Sequence, residues 1–395
     1  MFKSKKILCL IMAVVTTFVI CSCAGQSNAA ATTMTETSSS PYKIAMLTCS
    51  DSQGEEEYST ASSLAEQYPD IVIHDTYPDS YSDDTDAIVI EKLLAFAEDP
   101  DVKAIILVQG VQGAVSAFTK IREMGRDDIL LIVGAPFEDP GEISEVADIV
   151  LANNDISCGY QISDIAFLWG CDVIIHYSFE RHMSYETVIE KHEAIKESAE
   201  YHGIELVDRE VPDPAAVTDL SEAQAAILED VPKVMEEYEG KSVCFYCTNC
   251  GLQMPLQQAV LSAIQQGQSA YYALPCCPSP YHGFQEAFGL ETNYGDIKGA
   301  LTDIANYLDQ YDATGHFSTW TLPVNSAMIS ASFAYACKYA EGELESKIDD
   351  AVLEECISRE ANSQILLGNY IDGENVLDNY YLITLEAVNF SDYVE

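Results

Sequence analysis

This sequence predicts an α/β fold: two doubly wound lobes with parallel sheets around a ligand cleft. Three observations lead there. Short apolar runs alternate with helix-period segments up to Ala152, and the same alternation starts afresh at Asp172. Ala104–Val108 is apolar at every position, as a parallel strand covered on both faces must be. The runs also end in polar clusters, and ligands of open α/β sheets bind beyond the carboxyl ends of strands. A chain of 395 residues suits two such lobes.

The first residues lie outside this pattern. Lys3, Lys5 and Lys6 precede the apolar run Ile7–Ile20, which is shorter than the roughly 18 to 20 apolar residues a membrane span needs. The run ends Ile20-Cys21-Ser22-Cys23, which resembles a bacterial lipobox. That resemblance implies a signal peptide over 1–22, cleavage before Cys23 and a lipid on its sulfur, palmitate included. Cleavage near Ala30 without a lipid is the alternative. Residues 23–40 are rich in Ala, Ser and Thr and read as a flexible tether.

Lobe one is expected over 41–170, completed by about 322–342. Its strands are Tyr42–Thr48, Ile71–His74, Ala104–Val108, Ile129–Val133 and Ile149–Ala152. Helices fall at Tyr58–Tyr68, at a stripe of Ile90, Leu93, Leu94 and Ala97 that stops at Asp99-Pro100, and at Ala114–Met124. A helix carrying Ile162, Ile165, Ala166 and Trp169 closes at Gly170, where the chain should first cross to the other lobe.

Lobe two is expected over 171–320. Strands read at Asp172–Ile175, Glu205–Val207, Ser242–Tyr246 and Ala270–Leu274. Ser184 is the expected N-cap of a helix ending before Gly203, Ser221 opens a capping box, and Pro232 should kink or split the helix that follows. Pro255 suits the first turn of the next helix, which Gly267 closes. Beyond lie helices at Asp296–Tyr311, Ser326–Ala340 and Ile348–Leu367, then a strand at Tyr381–Leu385. Residues 343–395 read as a helical extension with a last strand.

Charge narrows the function. The full chain has 19 basic and 64 acidic residues, and removing 1–22 leaves a formal charge of −48. Such a field repels nucleic acid and anionic lipid, so no nucleic-acid partner is expected and the membrane is met through the lipid alone. No catalytic set stands out: there is no Gly-x-Ser-x-Gly elbow, His-Glu-x-x-His pair, phosphate loop or Gly-x-Gly-x-x-Gly. His176, His182 and His282 read as hydrogen-bonding residues. Cys244, Cys247, Cys250, Cys276 and Cys277 suggest a metal or redox cluster, but Cys244 and Cys247 are three apart and face opposite sides of an extended strand. A disulfide from Cys250 to Cys276 or Cys277 is the better reading, with no metal or cofactor.

The strand ending Asn153-Asn154-Asp155, the Gly159…Trp169-Gly170 helix and Ser184…His202-Gly203 together resemble the type I periplasmic-binding-protein fold, with its Rossmann-like lobes, over most of 41–345. Ser178–Ser184, Thr248-Asn249-Cys250 and Cys276–Gly283 are similar to an uncharacterised lipoprotein family within that fold. The resemblance implies a non-enzymatic, lipid-anchored solute-binding protein on the outer face of the cell membrane, which hands a small polar molecule to ABC transporter subunits or senses it. An extracytoplasmic enzyme or redox protein using the cysteines is the alternative. Because closure needs contacts from both lobes, the expected ligand residues are Ser50, Gln53, Gln109, Gln112, Phe137 and Asn153 from lobe one. Lobe two would contribute Tyr177, Phe179, Arg181, Asn249 and His282, with Trp320 near a later crossing. Arg181 either clamps an anionic group or ties down the neighbouring helix.

Overall fold

In the computed structural model, which describes residues 42–50, 55–78, 85–214, 220–276, 281–291, 296–360 and 365–395, the apolar runs become parallel strands. Lobe one begins β1 (Lys43–Thr48), α1 (Glu55–Gln67), β2 (Val72–Thr76), α2 (Thr85–Glu98) and β3 (Val102–Val108). It continues α3 (Ala114–Glu123), β4 (Leu130–Gly134), α4 (Pro140–Val146) and β5 (Ile149–Asn153). Lobe two runs α5 (Asp155–Leu168), β6 (Val173–Ser178), α6 (Glu186–His202), β7 (Glu205–Glu210), α7 (Leu220–Glu237) and β8 (Val243–Cys247). It then adds α8 (Gln253–Gln265), β9 (Ala270–Tyr272), α9 (His282–Phe288), α10 (Ile297–Asp309) and β10 (Ser318–Trp320). The chain ends α11 (Val324–Ala340), α12 (Asp350–Glu360), β11 (Leu366–Asp372), β12 (Asn375–Thr384) and β13 (Ala387–Asn389).

Sheet one has the order β11-β12-β5-β4-β3-β1-β2, and sheet two the order β7-β6-β8-β9. Their described pairings are parallel, except β11 against β12. Strand periodicity gives each sheet two buried faces. Ala45, Leu47, Ile105 and Leu107 pack with Leu93 of α2 and Phe118 of α3, while Ile44, Met46 and Ile106 pack with Ala61 of α1 and Met328 of α11. In lobe two, Ile175, Tyr177 and Phe245 join Ile227 of α7 and Val260 of α8, while Ile174, Cys244 and Tyr246 face α5 and α6.

Three strand-to-strand passages connect the lobes. The first follows β5 at Asn154, whose side chain caps α5 by accepting from the Ser157 amide at 3.0 Å. The second lies between Trp320 and α11, and the third between β12 and β13, which pairs antiparallel with β10. Hydrogen bonds lace the three together. Asn154 Nδ2 donates to Thr384 Oγ1 at 2.9 Å, Gln161 Nε2 to the Leu385 carbonyl at 2.8 Å, and the Thr321 amide to the Glu386 carbonyl at 3.2 Å.

Several expectations are corrected. The first passage is at Asn154, not Gly170. The helix before Gly170 packs on α6, with Ser163 Oγ donating to the Ile195 carbonyl at 2.8 Å and Phe167 stacked on His202. Ser184 is no N-cap: it belongs to the short 3-10 turn His182–Ser184 and donates to the Arg181 carbonyl, and Tyr185 precedes α6. Pro232 lies inside α7 without splitting it. Residues 343–395 are no appendage. The helix expected to reach Leu367 does not, because Leu366 already begins β11; β11 and β12 complete sheet one, with Tyr381 paired to Leu151. Phe390, beyond β13, is buried in lobe two.

Gly159 lets α5 and α6 touch. A β-carbon there would stand 2.5 Å from the Lys191 carbonyl oxygen and 2.7 Å from Ala194 Cβ, both fixed by helix backbone. Gly159→Ala is therefore expected to force the helices apart and to cost about 1–3 kcal/mol, read as a lowered denaturation midpoint. An unchanged midpoint would mean that the helices separate freely.

Candidate functional site

The facing strand ends of the two lobes carry polar side chains, each delivered by a different element. In lobe one, α1 places Glu57 beneath the end of β3. Its Oε1 accepts from Gln109 Nε2 at 3.0 Å and from Asn325 Nδ2 at 2.5 Å. Glu57 is 4% exposed, and Asn325, in the first turn of α11, is 2% exposed. The Asn325 Oδ1 atom is buried without a hydrogen-bond partner, and so is Asn153 Oδ1 at the end of β5. Asn153 Nδ2 meets Cys158 Sγ at 3.2 Å. Two unanswered buried acceptors at two of the passages are unusual, since such atoms are nearly always paired in folded proteins.

The neighbouring helix end is already capped. Gly113 precedes α3 at φ 99°, a left-handed conformation that favours glycine. Glu138 reaches across from the loop after β4 to accept from the amides of Gly113 at 3.1 Å and Val115 at 2.8 Å. Burial raises the pKa of that carboxyl despite the two amides. The positive end of α3 is thus met by the protein's own acid.

Lobe two answers with a hydrogen-bonded chain. Ser178 Oγ lies 2.9 Å from Thr248 Oγ1, which lies 3.2 Å from His182 Nδ1, and Asn249 Nδ2 stands 3.4 Å from His182 Nε2. Asn249 donating to Nε2 leaves the ring proton on Nδ1, facing Thr248. Burial, with the Arg181 charge beside it, pulls His182 down to about 4. Asn249 Oδ1 accepts from the Gly251 amide at 2.9 Å and caps the turn Cys250–Leu252.

Both nearby cations are partnered. Arg181 forks onto Asp213 through Nε at 2.7 Å and Nη2 at 2.8 Å, and Nη1 donates to Tyr185 Oη at 3.0 Å. The buried Lys191 ammonium pairs with Asp155 and donates to the Cys276 carbonyl at 3.3 Å. Burial alone would lower its pKa, but Asp155, Tyr246 and Cys158 hold it above the ordinary lysine range.

The predicted residues divide accordingly. Ser50, Gln109 and Asn153 are half-buried at strand ends, while Gln112 and Phe137, the latter 52% exposed, stand further out. Asn249 is a cap as well as a donor. Tyr177 faces away, because its odd position on β6 turns it into the core beneath α7, where Oη donates to Asp230 at 2.9 Å. Phe179 and Trp320 are core residues at 3% exposure, and Trp320 Nε1 donates to the Pro275 carbonyl at 2.9 Å. For Arg181 the helix-securing alternative is the one realised. Gln53, Cys23 and Cys277 lie outside the described residues, as does the side chain of His282. Glu57, Asn325 and Lys191 went unforeseen. An acidic run, a helix start and a lone lysine mark them in the sequence, and only the tertiary fold brings them to the passages.

The described cysteines of the cluster stand in two states, with Cys244, Cys247 and Cys276 as buried free thiols. Cys250 is disulfide-bonded, whereas Cys276 is a buried free thiol accepting from Gln253 Nε2 at 3.4 Å, so Cys276 is not its partner. Burial pushes the Cys244 and Cys247 thiols well up, which leaves them unreactive.

A family model described as "Protein of unknown function (DUF3798)" matches residues 42–318. Two uncharacterised proteins of Treponema pallidum (strain Nichols) are similar. One is 38% identical over 146 residues, which span 37% of this chain and 65% of the relative. The other is 34% identical over 169 residues, 43% of this chain and 77% of the relative. Among solved structures, a Clostridium difficile 630 protein that carries a transcriptional-regulator name superposes with TM-score 0.73 at 19% identity, covering 88% of this chain and 98% of its own. An ABC transporter solute-binding protein from Bacillus halodurans C-125, with bound myo-inositol, superposes with TM-score 0.52 at 14% identity, covering 90% and 96%. The fold is that of the type I periplasmic binding proteins.

Two outcomes follow for lobe two. His182, neutral in the folded chain down to about 4, is protonated below about 6.5 when unfolded. Between those values the unfolded chain binds more protons, so this residue makes stability fall as pH falls from about 6.5 to about 4. A ring titration by NMR with a midpoint near 6.5 would refute the burial argument. Asn249→Ala removes a cap and should cost roughly 1 kcal/mol of stability, measured by denaturant titration.

Proposed function

The chain belongs to the DUF3798 family, and from that premise we propose that it is a lipid-anchored, extracytoplasmic solute-binding protein. It takes a small polar ligand between its lobes, for uptake by an ABC-type transporter or for sensing, and performs no catalysis. The carrying observation is the pair of unpartnered buried oxygens, Asn153 Oδ1 and Asn325 Oδ1, at two of the passages between lobes. An acceptor buried without a partner costs about 1–3 kcal/mol, which a ligand donor would relieve.

The surrounding charges favour an uncharged ligand rich in hydroxyl or amine donors. Arg181 and Lys191 are held by Asp213 and Asp155, and the start of α3 is capped by Glu138. An anionic solute would therefore meet acceptors and no spare cation among the described side chains at these strand ends. The myo-inositol bound by the Bacillus halodurans neighbour belongs to the same donor-rich class. The anchor rests on Ile20-Cys21-Ser22-Cys23 and the apolar run before it.

Thermal melts against polyols, sugars, nucleosides, amino acids and organic acids test the reading. A ligand at 100 times its dissociation constant adds about 2.7 kcal/mol, and polyols or sugars are expected to give the shift. Asn153→Ala and Asn325→Ala should each weaken that ligand about tenfold or more, or roughly 1–3 kcal/mol. No shift with any class, in chain freed of ligand by unfolding and refolding, overturns the proposal. The anchor is tested separately: radiolabelled palmitate should enter the wild-type chain in cells and be absent from Cys23→Ala.

A further inference from the structure

Beneath the sheet face of lobe two, three rigid elements converge two imidazoles and a carboxylate. His176 on β6 and Asp208 on β7 are register partners in a parallel pair, so their side chains leave the sheet on the same face. His192 descends from α6, which covers that face. His176 Nδ1 lies 2.8 Å from Asp208 Oδ1, and His192 Nε2 lies 2.9 Å from the same oxygen. All three ligand atoms fall within 4.8 Å of one another.

We propose that His176, His192 and Asp208 form a binding site for a divalent first-row transition metal of the zinc type. Imidazole and carboxylate oxygen are the donors such ions take, at bond lengths near 2.0–2.2 Å. Donors in a tetrahedral shell of that size stand about 3.3 Å apart. The two N···O separations would open by about half an ångström, and the widest pair of donors, up to 4.8 Å apart, would close toward that spacing through side-chain torsions. The order of burial suits a metal: His176 is 2% exposed at its side chain and His192 12%, whereas Asp208 is 63% exposed and leaves the outer side open to water. Glu193 Oε1 stands 3.9 Å from His192 Nδ1, on the ring edge turned away from the cluster, and would have to close by about an ångström to orient a ligating imidazole. Tyr246 stacks on the His176 ring at 5.7 Å between centroids and holds its plane. The neighbouring Lys191 charge is answered by Asp155. Calcium and magnesium, which prefer oxygen shells, do not suit this set.

The alternative is that Asp208 merely accepts a hydrogen bond from each ring. The tag-free full chain, stripped with chelator and dialysed, separates the two by titration with zinc and with cobalt(II). A metal site takes up one equivalent of zinc with micromolar or tighter affinity, raises the melting temperature, and gives visible cobalt absorption bands. His192→Ala and Asp208→Asn, at the less buried positions, should each weaken zinc at least tenfold and abolish the cobalt bands while keeping wild-type circular dichroism. His202→Ala, which removes an otherwise similar histidine bonded to Asp164 at 2.8 Å, should leave uptake unchanged. No stoichiometric uptake, or uptake that survives both cluster variants, overturns the proposal. Should either variant lose its fold, the wild-type cobalt spectrum decides, since imidazole ligation gives bands that adventitious carboxylate binding does not.

Discussion

The structure depends on three passages of chain held side by side. Asn154 is bonded to the end of β12 through both backbone and side chain, and Gln161 reaches the carbonyl of Leu385. The amide of Thr321 reaches Glu386, and β10 and β13 continue the lacing as a two-stranded ladder. Each strand alone is a few extended residues and would bend anywhere. Bonded together they stiffen one another, since each passage supplies partners for the backbone or side chains of the next.

Electrostatic self-sufficiency is the second theme. A chain with 64 acidic and 19 basic residues has few cations to spare, and those at the strand ends are held by acids of their own lobe. Asp213 takes both edges of the Arg181 fork, and Asp155 takes Lys191. What remains unanswered is acceptor character. Of the two roles the sequence leaves open for Arg181, anion clamp or helix tie, the fork onto Asp213 and the contact with Tyr185 realise the second.

The lobes were legible because parallel strands covered on two faces must be apolar throughout, and Ala104–Val108 or Val173–Ile175 can hardly be anything else. Glycines closed helices where expected, as at Gly203 with φ 74°. Misreadings came where tertiary context overrides a local signal. Pro232 does not split α7, which runs through it, and Leu366–Asp372 is a strand because β12 lies beside it. At the site, alternation on β6 decides between neighbours: His176 and Ser178 face one way and Tyr177 the other, a parity that composition does not reveal. Asn325 and Glu57 are 268 positions apart in the chain, so no local pattern could join them.

The position of β12 bears on how the protein is made. Sheet one receives β12, one of its inner strands, from residues Asn375–Thr384, close to the end of the chain, whereas the strands of sheet two all lie between Val173 and Tyr272. During synthesis the second sheet can assemble while the first still exposes β5 as an unpaired edge, the kind of edge that recruits foreign strands. The late arrival of one strand thus leaves an edge of the first sheet open for as long as the chain takes to grow from β5 to β12.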